Sequence, residues 1–380
     1  MRNRLLVFLG VVSLLGFYTG AKAAALFPLH RAAAMAASIL LVAFFVSWQI
    51  AYRNGAFPEE SGWTRALAWS ASVGMGVWAT FLLLSVGADV ADLLLSASSH
   101  GAVLARALPA AAGGASVLIA GLGLGQAMRG PRVKEVSVPV AGLPAGLRGL
   151  RIVQISDLHA GPTIRRRDVE RVVERALALA PDLIAVTGDL VDGTVERLAR
   201  HVAPLSRLRA PLGVYYVTGN HEYYWGASAW IEKAKELGFI PLINENRVVA
   251  RGGARLLVGG TPDESGGSFE AGHAPDALRA AATDGPVDFR LLLAHRPDGV
   301  PAAARAGFDL QLSGHTHGGQ FFPASLLIGF FHKYSRGLAR HGRMWVHVSP
   351  GTGYWGPAHR FGVPAEITLL TLTDENQRGA

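Results

Sequence analysis

The chain has 380 residues, of which 50% are hydrophobic and 17% are charged, and this composition excludes intrinsic disorder. It contains no cysteine, which excludes disulfide frameworks, Cys-ligated zinc, iron–sulfur clusters and thiol nucleophiles. The formal net charge is +8, but residues 1–130 carry eight Lys/Arg and only four Asp/Glu, so half of the excess lies in an apolar region. Basic residues in such a region orient membrane segments, and we do not expect a nucleic-acid partner.

Four apolar stretches come first, at about residues 5–21, 33–51, 66–88 and 107–127. Each is close to the ~20 residues that a helix needs to cross the hydrocarbon core. Short polar separators lie between them: 22–31, 53–65 with Pro58, Glu59 and Glu60, and a third with Asp89, Asp92 and Arg106. A soluble helical bundle is the alternative, but it would need charged faces that these stretches lack. The sequence therefore predicts about four transmembrane helices within residues 1–130.

The positive-inside rule gives an orientation for these helices. One side carries Arg2, Arg4, Arg53, Arg65, Arg129, Arg132 and Lys134, and the other carries Lys22, Arg31 and Arg106. The richer side is expected in the cytoplasm. The first stretch also resembles a cleavable secretory signal, but residue 131 reaches the cytoplasm in either case. We expect a multi-pass protein of the cell inner membrane whose second domain, residues 131–380, lies on the cytoplasmic face.

Residues 131–380 alternate between short apolar β-rich runs and amphipathic helical stretches, which predicts an α/β layered domain. The predicted strands are 150–156, 182–187, 213–218, 255–259, 289–294, 308–313, 345–348 and 366–372. The predicted helices are 165–178 and segments near 194–207, 228–237 and 275–283.

Metal-binding residue types follow five of these strands. They are Asp157 and His159, Asp189, Asn220 with His221, His295, and His315 with His317. Ligands bind outside the carboxyl ends of strands in open α/β sheets, so these donors can converge although the sequence separates them. Each motif alone is typical of a turn, a cap or a core histidine. All five in order, each after a strand, predict a site for two divalent cations.

The ordered blocks DxH, GD, GNHE, H and GHxH resemble the signature of the calcineurin-like metallophosphoesterase superfamily. The resemblance implies a four-layer αββα sandwich with mixed sheets. It also implies that Asp157, His159 and His317 bind the first metal, that Asn220, His295 and His315 bind the second, and that Asp189 binds both. His221 would contact the phosphate and protonate the leaving oxygen.

Three longer strings, 153–159, 313–320 and 360–367, resemble the bacterial membrane-associated phosphohydrolases of this superfamily. That group includes enzymes similar to UDP-2,3-diacylglucosamine pyrophosphatases, although four N-terminal helices are more than such relatives commonly carry. The resemblance implies a phosphoesterase that uses a metal-bridging hydroxide as the nucleophile. Oxygen and imidazole ligands suit Mn²⁺, Fe²⁺ or Zn²⁺, and we name manganese first.

Membrane attachment favours a phosphorylated substrate that is lipid-linked or a nucleotide-diphospho-lipid, with membrane lipid as a partner. No protein partner can be inferred. Alternatives are a tethered phosphodiesterase for soluble nucleotides, an inactive membrane sensor or scaffold, and a transport role for the helices. The intact ligand set argues against the sensor, and the helices show no buried charge pair that would support transport.

Several other residues have two possible roles. Arg296 and Arg360 are candidates for binding a substrate phosphate, or are structural arginines. The aromatic residues after His221, Tyr223 to Trp225, line a substrate groove or pack in the core. The apolar run from Phe321 to Phe331 dips into lipid, accepts an acyl chain, or packs against the sheet.

Overall fold

The computed structural model of the chain describes residues 2–53, 61–95 and 101–375. These residues form two compact units. The helical unit comprises Met1–Met128 together with two short segments from later in the chain, Phe322–Ala324 and Gly356–Phe361. The phosphoesterase-like unit comprises Arg129–Phe321, Ser325–Trp355 and Gly362–Ala380.

The helical unit contains α1 (Arg2–Leu26), α2 (Arg31–Arg53), α3 (Gly62–Leu95) and α4 (Gly101–Met128). Within residues 2–53, 61–95 and 101–375, three segments are long and apolar enough to cross a membrane, namely Arg31–Tyr52, Gly62–Leu95 and Ala107–Met128, and Gly10–Leu26 is a shorter apolar helix. The predicted N-terminal transmembrane bundle is therefore confirmed, with three candidate spans and one shorter helix. The predicted loop with Pro58, Glu59 and Glu60 lies outside the described residues.

Parts of two predicted polar separators are helical. Helix α1 continues through Lys22, and α3 continues through Asp89 and Asp92. The ammonium of Lys22 forms an ion pair with Asp89, and the hydroxyl of Tyr18 donates to the same carboxylate at 2.6 Å. Because each charge has a partner, neither needs to end its helix. This pair is part-exposed and stands near the ends of both helices.

The segment Gly356–Phe361 packs among α3 and α4. The hydroxyl of Ser72 donates to the carbonyl of Gly356 at 3.0 Å and accepts from the N–H of Ala358 at 2.8 Å. The Oγ1 of Thr80 lies 3.2 Å from Nε2 of His359. A Cβ at Gly123 of α4 would lie only 1.7 Å from Nδ1 of His359, so the imidazole fits only because this position is a glycine.

The second unit contains twelve strands and seven α-helices within the described residues. In chain order they are β1 (Arg132–Val140), β2 (Arg151–Ile155), α5 (Arg166–Ala178), β3 (Leu183–Thr187), α6 (Val195–Val202), β4 (Val214–Val217), α7 (Asn220–Trp225), α8 (Ala227–Glu236), β5 (Ile240–Pro241), β6 (Glu245–Arg251), β7 (Ala254–Thr261), α9 (Ala277–Ala281), β8 (Phe289–Ala294), α10 (Val300–Arg305), β9 (Leu310–Ser313), α11 (Ile328–Phe331), β10 (Gly337–His341), β11 (Met344–Val348) and β12 (Glu366–Asp374).

These strands form two six-stranded sheets, in the orders β1-β12-β2-β3-β4-β5 and β10-β11-β9-β8-β7-β6. Both sheets are mixed. In the first, β12 runs antiparallel to β2 while β2, β3 and β4 are parallel. In the second, β7, β8 and β9 are parallel and the strands β6 and β10 are antiparallel to their neighbours. The mixed α/β architecture that the resemblance implied is confirmed.

The main hydrophobic core lies between the two sheets. Side chains of the first sheet, such as Ile152 and Leu183, share one buried cluster with Leu256 and Leu291 of the second. On the outer face of the second sheet, α9 and α10 bury a separate cluster that includes Phe308. Helix α5 buries Val169, Val172 and Val173 on one face. Two packed sheets with helices outside them give the sandwich its layers.

Candidate dinuclear metal centre

The predicted metal ligands and His221 stand at the carboxyl ends of parallel strands. Asp157 and His159 follow β2, Asp189 follows β3, and Asn220 and His221 begin α7 just after β4. From the second sheet, His295 directly follows β8, and His315 and His317 follow β9. Both sheets therefore contribute to the same edge of the sandwich, which is where a ligand binds in open α/β sheets.

The structure brings these side chains into three overlapping groups that can each hold a metal ion. The groups are Asp157, His159 and His317; Asp189, His295 and His315; and His159, Asp189 and His221. Within each group the ligand atoms lie within 4.8 Å of one another, and all members are buried except the half-buried His315. The first two groups match the His and Asp ligands of the two sets that the resemblance implied, and Asn220 would complete the second set.

Asp189 stands between the two sets. Its Oδ2 is 3.2 Å from Nε2 of His295 and 3.8 Å from Nε2 of His159. One carboxylate thus reaches toward a ligand of each set, as a bridging ligand must. A Cβ at Gly219 would lie 2.2 Å from Oδ1 of Asp189, so the glycine of the GNHE block leaves the space that this carboxylate occupies.

Asn220 completes the second set in a way that points to a cation. Its Oδ1 is buried and accepts no hydrogen bond from any residue that the structure describes. A buried amide oxygen without a donor is costly unless a ligand coordinates it. Together with carboxylates and imidazoles, this oxygen makes a donor set that fits divalent cations of the Mn²⁺, Fe²⁺ and Zn²⁺ type.

The backbone at the site is strained. Five of the seven predicted ligands have positive φ angles: Asp157 (52°), His159 (50°), Asp189 (50°), His315 (69°) and His317 (49°). Residues other than glycine rarely adopt this left-handed conformation, and each such residue costs about 1–3 kcal/mol. The turns persist because buried hydrogen bonds hold them, such as those from the N–H of Asp157 to the carbonyl of Gly188 and from the N–H of His315 to Asp157. In this backbone conformation, the five side chains lie in the cluster.

Hydrogen bonds on the far side of two imidazoles fix the nitrogen that faces the cluster. Nδ1 of His295 lies 2.8 Å from the carbonyl of Thr187, and because a carbonyl only accepts, this nitrogen carries the proton. Nδ1 of His159 lies 3.0 Å from Oδ1 of Asp192. In both rings Nε2 is therefore directed toward the metal cluster, which is how ligand histidines are oriented by their outer partners.

Asp192 is a site residue that the sequence reasoning missed. Its Oδ1 lies 2.5 Å from Nδ1 of His221 as well as 3.0 Å from Nδ1 of His159. It therefore orients both the candidate acid and a candidate ligand. The available signal was a second carboxylate three residues after Asp189, on the loop that follows β3.

The negative charge at the site sets the proton affinity of its histidines. Burial disfavours the charged form of His295, but the carboxylates of Asp189, Asp157 and Asp263 outweigh it and raise its pKa to about 10. For His221, burial is likewise outweighed by Asp189 and Asp192, and its pKa rises to about 9. A field that stabilises a proton on these rings also stabilises a metal cation among them.

Glu222, the last residue of the GNHE block, has a structural role. It is fully buried and accepts hydrogen bonds from the N–H groups of Gly219 at 2.6 Å, Leu190 at 2.7 Å and Asp189 at 3.0 Å. Burial and the nearby Asp189 raise its pKa to about 7. This side chain ties the loop after β3 to the loop after β4 and so places Asp189 beside Asn220.

An aromatic rim surrounds His221. Tyr224 and Trp355 are both exposed, with ring centroids 5.3 Å and 5.9 Å from the imidazole of His221. Phe269, also exposed, lies 5.9 Å from Tyr224. The amide of Gln320 holds Trp355 in place with hydrogen bonds of 2.9 Å to its N–H and to its carbonyl. Apolar rings thus stand at the entrance to a buried polar site.

The structure gives the other candidate residues from the sequence three different environments. Tyr223 is buried, with its hydroxyl 2.8 Å from Nδ1 of His273, so it packs in the core rather than lining a groove. Arg296 is half-buried beside the centre, and its Nε donates to Asp263 at 2.8 Å. Arg360 is fully buried in the helical unit, where its N–H donates to the carbonyl of Gly123. Phosphate binding by the two arginines stays a prediction.

Comparison with known proteins agrees with this architecture. A family model described as calcineurin-like phosphoesterase matches residues 150–319. A "Transmembrane protein with metallophosphoesterase domain" of Danio rerio is 36% identical over 76% of this chain and 67% of that protein. The protein of the same name from Bos taurus is 39% identical over 70% of this chain and 62% of its own length. An "Uncharacterized metallophosphoesterase" of Aquifex aeolicus is 32% identical over 63% of this chain and 91% of that protein.

The fold, the ligand cluster and these similarities define the class of protein: a metal-dependent phosphohydrolase attached to a membrane. The chain belongs to the calcineurin-like phosphoesterase family. It spans less than two thirds of the Bos taurus relative, so what the whole of that protein does is not carried over.

Proposed function

We propose that this protein is a membrane-anchored phosphoesterase that holds two divalent cations and hydrolyses a phosphate ester or pyrophosphate bond of a lipid-linked or nucleotide-diphospho-lipid substrate. One observation carries the proposal. Six of the seven predicted ligands, contributed by both sheets, form two of the clusters, and the seventh, Asn220, has a buried oxygen with no donor from the described residues. The three candidate spans supply the membrane attachment.

Two cations of the Mn²⁺, Fe²⁺ or Zn²⁺ type would be held by Asp157, His159 and His317 and by Asn220, His295 and His315, with Asp189 shared. Such a pair activates a water molecule and neutralises the charge on phosphoryl oxygens. The residues of the chain do the rest. Asp192 keeps His221 protonated and oriented, and His221 donates its proton to the leaving oxygen.

The aromatic rim favours a substrate whose leaving group is large. Tyr224 and Trp355 flank His221, so an apolar or planar group attached to the leaving oxygen would lie against them. Inorganic pyrophosphate or a small alkyl phosphate would leave these rings in water. The same rim gives specific support to a second candidate, a phosphodiesterase for soluble nucleotides, because a base can stack on exposed rings.

Hydrolysis by the purified full chain separates these functions. The panel comprises p-nitrophenyl phosphate, bis-p-nitrophenyl phosphate, cyclic nucleotides and acylated UDP-sugars in lipid nanodiscs, each with Mn²⁺, Fe²⁺ or Zn²⁺. The lipid proposal predicts the highest kcat/KM for an acylated substrate. A higher value for a cyclic nucleotide would favour the second candidate. No hydrolysis with any metal would contradict both and favour a sensor.

We also propose that the phosphoesterase-like unit lies on the cytoplasmic face of an inner membrane, in support of which the basic residues of the sequence number seven against three. The absence of native cysteine allows a direct test. A single cysteine in place of the exposed Leu278 should react with an impermeant maleimide only after the cells are permeabilised. Labelling in intact cells would indicate the opposite orientation.

A further inference from the structure

An exposed apolar surface follows the metal-binding loop. We call it the apolar patch, and it consists of Leu326, Leu327, Phe330 and Phe331, with exposed fractions of 65%, 43%, 85% and 77%. These side chains lie on a short segment that ends in α11. The interpretation of this run as ordinary core is therefore wrong for these four residues. A group of large apolar side chains that is exposed on a folded domain marks a site of interaction.

The charge around the apolar patch indicates what covers it. Residues 321–343 contain no Asp or Glu, and they include four basic residues: Lys333, Arg336, Arg340 and Arg343. All four are exposed. Exposed Leu and Phe side chains flanked by Lys and Arg are typical of segments that enter the interface of an anionic bilayer.

The segment with the apolar patch is continuous in sequence with the helical unit. Three candidate spans anchor the protein, and Phe322–Ala324, which directly precede the segment, belong to the helical unit. There the N–H of Phe322 donates to the carbonyl of Phe361 at 2.8 Å, and the two rings pack edge to face with centroids 6.4 Å apart. In sequence, only Ser325 separates these residues of the helical unit from Leu326, the first residue of the apolar patch.

The other end of the segment is fastened to the candidate metal centre. The hydroxyl of Thr316, which lies between two predicted ligands, donates to the carbonyl of Ser335 at 2.6 Å. The ring of His332 packs edge to face against His315, with centroids 5.9 Å apart. A Cβ at Gly318 would lie 3.3 Å from the side chain of Arg336. One segment thus runs from the helical unit through the apolar patch to the metal-binding loop.

We propose that the apolar patch inserts into the interface of an anionic leaflet and that the protein takes its substrate, an amphiphilic phosphate ester, from that leaflet. This inference rests on the proposed function for the substrate, but the insertion itself does not depend on catalysis. An amphiphile held at the interface keeps its acyl chains in lipid while its phosphate lies level with the residues that flank the segment. No extraction into water is then required.

Insertion is tested with the full chain in nanodiscs of phosphatidylcholine and phosphatidylglycerol. Because the chain lacks cysteine, Phe330→Cys carries a single environment-sensitive fluorophore, and Leu278→Cys, at another exposed apolar position, is the matched control. Brominated lipid should quench the label at position 330 and leave the label at 278 unchanged. Equal quenching by brominated lipid at both positions, or no quenching at either, would contradict insertion. No quenching at position 330, together with self-association of the labelled chain, would instead assign the apolar patch to a second copy.

The substrate route is tested with the double variant Phe330→Ser and Phe331→Ser. The measured quantity is the ratio of kcat/KM for an acylated UDP-sugar in the nanodisc to kcat/KM for bis-p-nitrophenyl phosphate in water. We expect this ratio to fall about 10-fold, because two large side chains no longer hold the site at the interface. An unchanged ratio would contradict the route. If neither ester is hydrolysed, the proposed function fails, while the quenching result still decides insertion.

Discussion

Asp192 places its Oδ1 2.5 Å from Nδ1 of His221, and this contact joins the candidate acid to the loop that carries Asp189. The same oxygen reaches His159, a predicted ligand of the first cation, at 3.0 Å. A single carboxylate therefore orients one group that moves a proton and another that holds a metal. Both roles follow from its position on the far side of the two rings.

Replacement of Asp192 tests this role. Asp192→Asn keeps the size of the side chain but removes its charge, so His221 loses the group that orients and charges it. We expect kcat to fall by about 10- to 100-fold. The matched control is Glu232→Gln, an exposed carboxylate whose loss should leave kcat unchanged. Wild-type turnover by Asp192→Asn, measured on bis-p-nitrophenyl phosphate, would show that the contact is only structural.

The pH dependence gives a second readout of the same contact. Burial favours neutral His221, but Asp189 and Asp192 outweigh it and raise its pKa to about 9, so the imidazolium persists until the pH rises through that value. Asp192→Asn should lower the pKa, and the alkaline limb of kcat should move to lower pH. Profiles between pH 5 and about 10 check this. Coincident alkaline limbs would exclude His221 as the group that titrates.

The close approach of Gly123 to His359 predicts a large difference between two neighbouring glycines of α4. A Cβ at Gly123 would overlap the imidazole, whereas a Cβ at Gly125 meets nothing within 4 Å. Gly123→Ala should destabilise the protein by about 1–3 kcal/mol through overpacking, and Gly125→Ala should be neutral or stabilising. Thermal unfolding of both variants in detergent measures this. Equal melting temperatures would mean that His359 does not occupy this space.

His347 predicts a loss of stability in acid. It lies on β11, is 1% exposed, and its Nδ1 is 2.8 Å from the amide oxygen of Gln154. Burial lowers its pKa to about 4, whereas an unfolded chain has a value near 6.5. Protonation therefore favours the unfolded chain, and stability falls as the pH drops below about 6.5, by roughly 1.4 kcal/mol per pH unit down to about 4.

The variant His347→Asn removes this titration. In EDTA, the variant should therefore become more stable relative to the wild type as the pH is lowered from about 7 to 4. A difference between the two proteins that does not change with pH would contradict the assignment. The chelator removes the contribution of bound metal from both measurements.

The strands that the sequence predicted and those it missed differ in where they lie in the sheets. All eight predicted strands are confirmed, and each is an interior strand with neighbours on both sides. The four missed strands, β1, β5, β6 and β10, are the four sheet edges. An edge strand faces water along one side, so it lacks the continuous apolar run on which the prediction depended. Four of the five residues from Arg132 to Val136 are exposed, for example.

The site was predictable to the extent that its residues stand in short motifs after strands. The ligand candidates are adjacent to β2, β3, β4, β8 and β9, and strand-end rules bring them together. Asp192 has no such motif, and its contact with His221 depends on the path of a loop. The apolar patch and the packing of Gly356–Phe361 among the helices likewise depend on tertiary structure, since the same sequences also suit a buried core.

Metal content decides the central claim most directly. The full chain, purified with Mn²⁺ present and then desalted, should retain two metal ions per chain by elemental analysis, because six predicted ligands cluster in two groups and the buried amide oxygen of Asn220 has no donor among the described residues. Asp189→Ala should lose both ions and all activity, while His221→Ala should keep both and lose turnover. Two ions retained by Asp189→Ala, or equal loss of metal from both variants, would contradict the account.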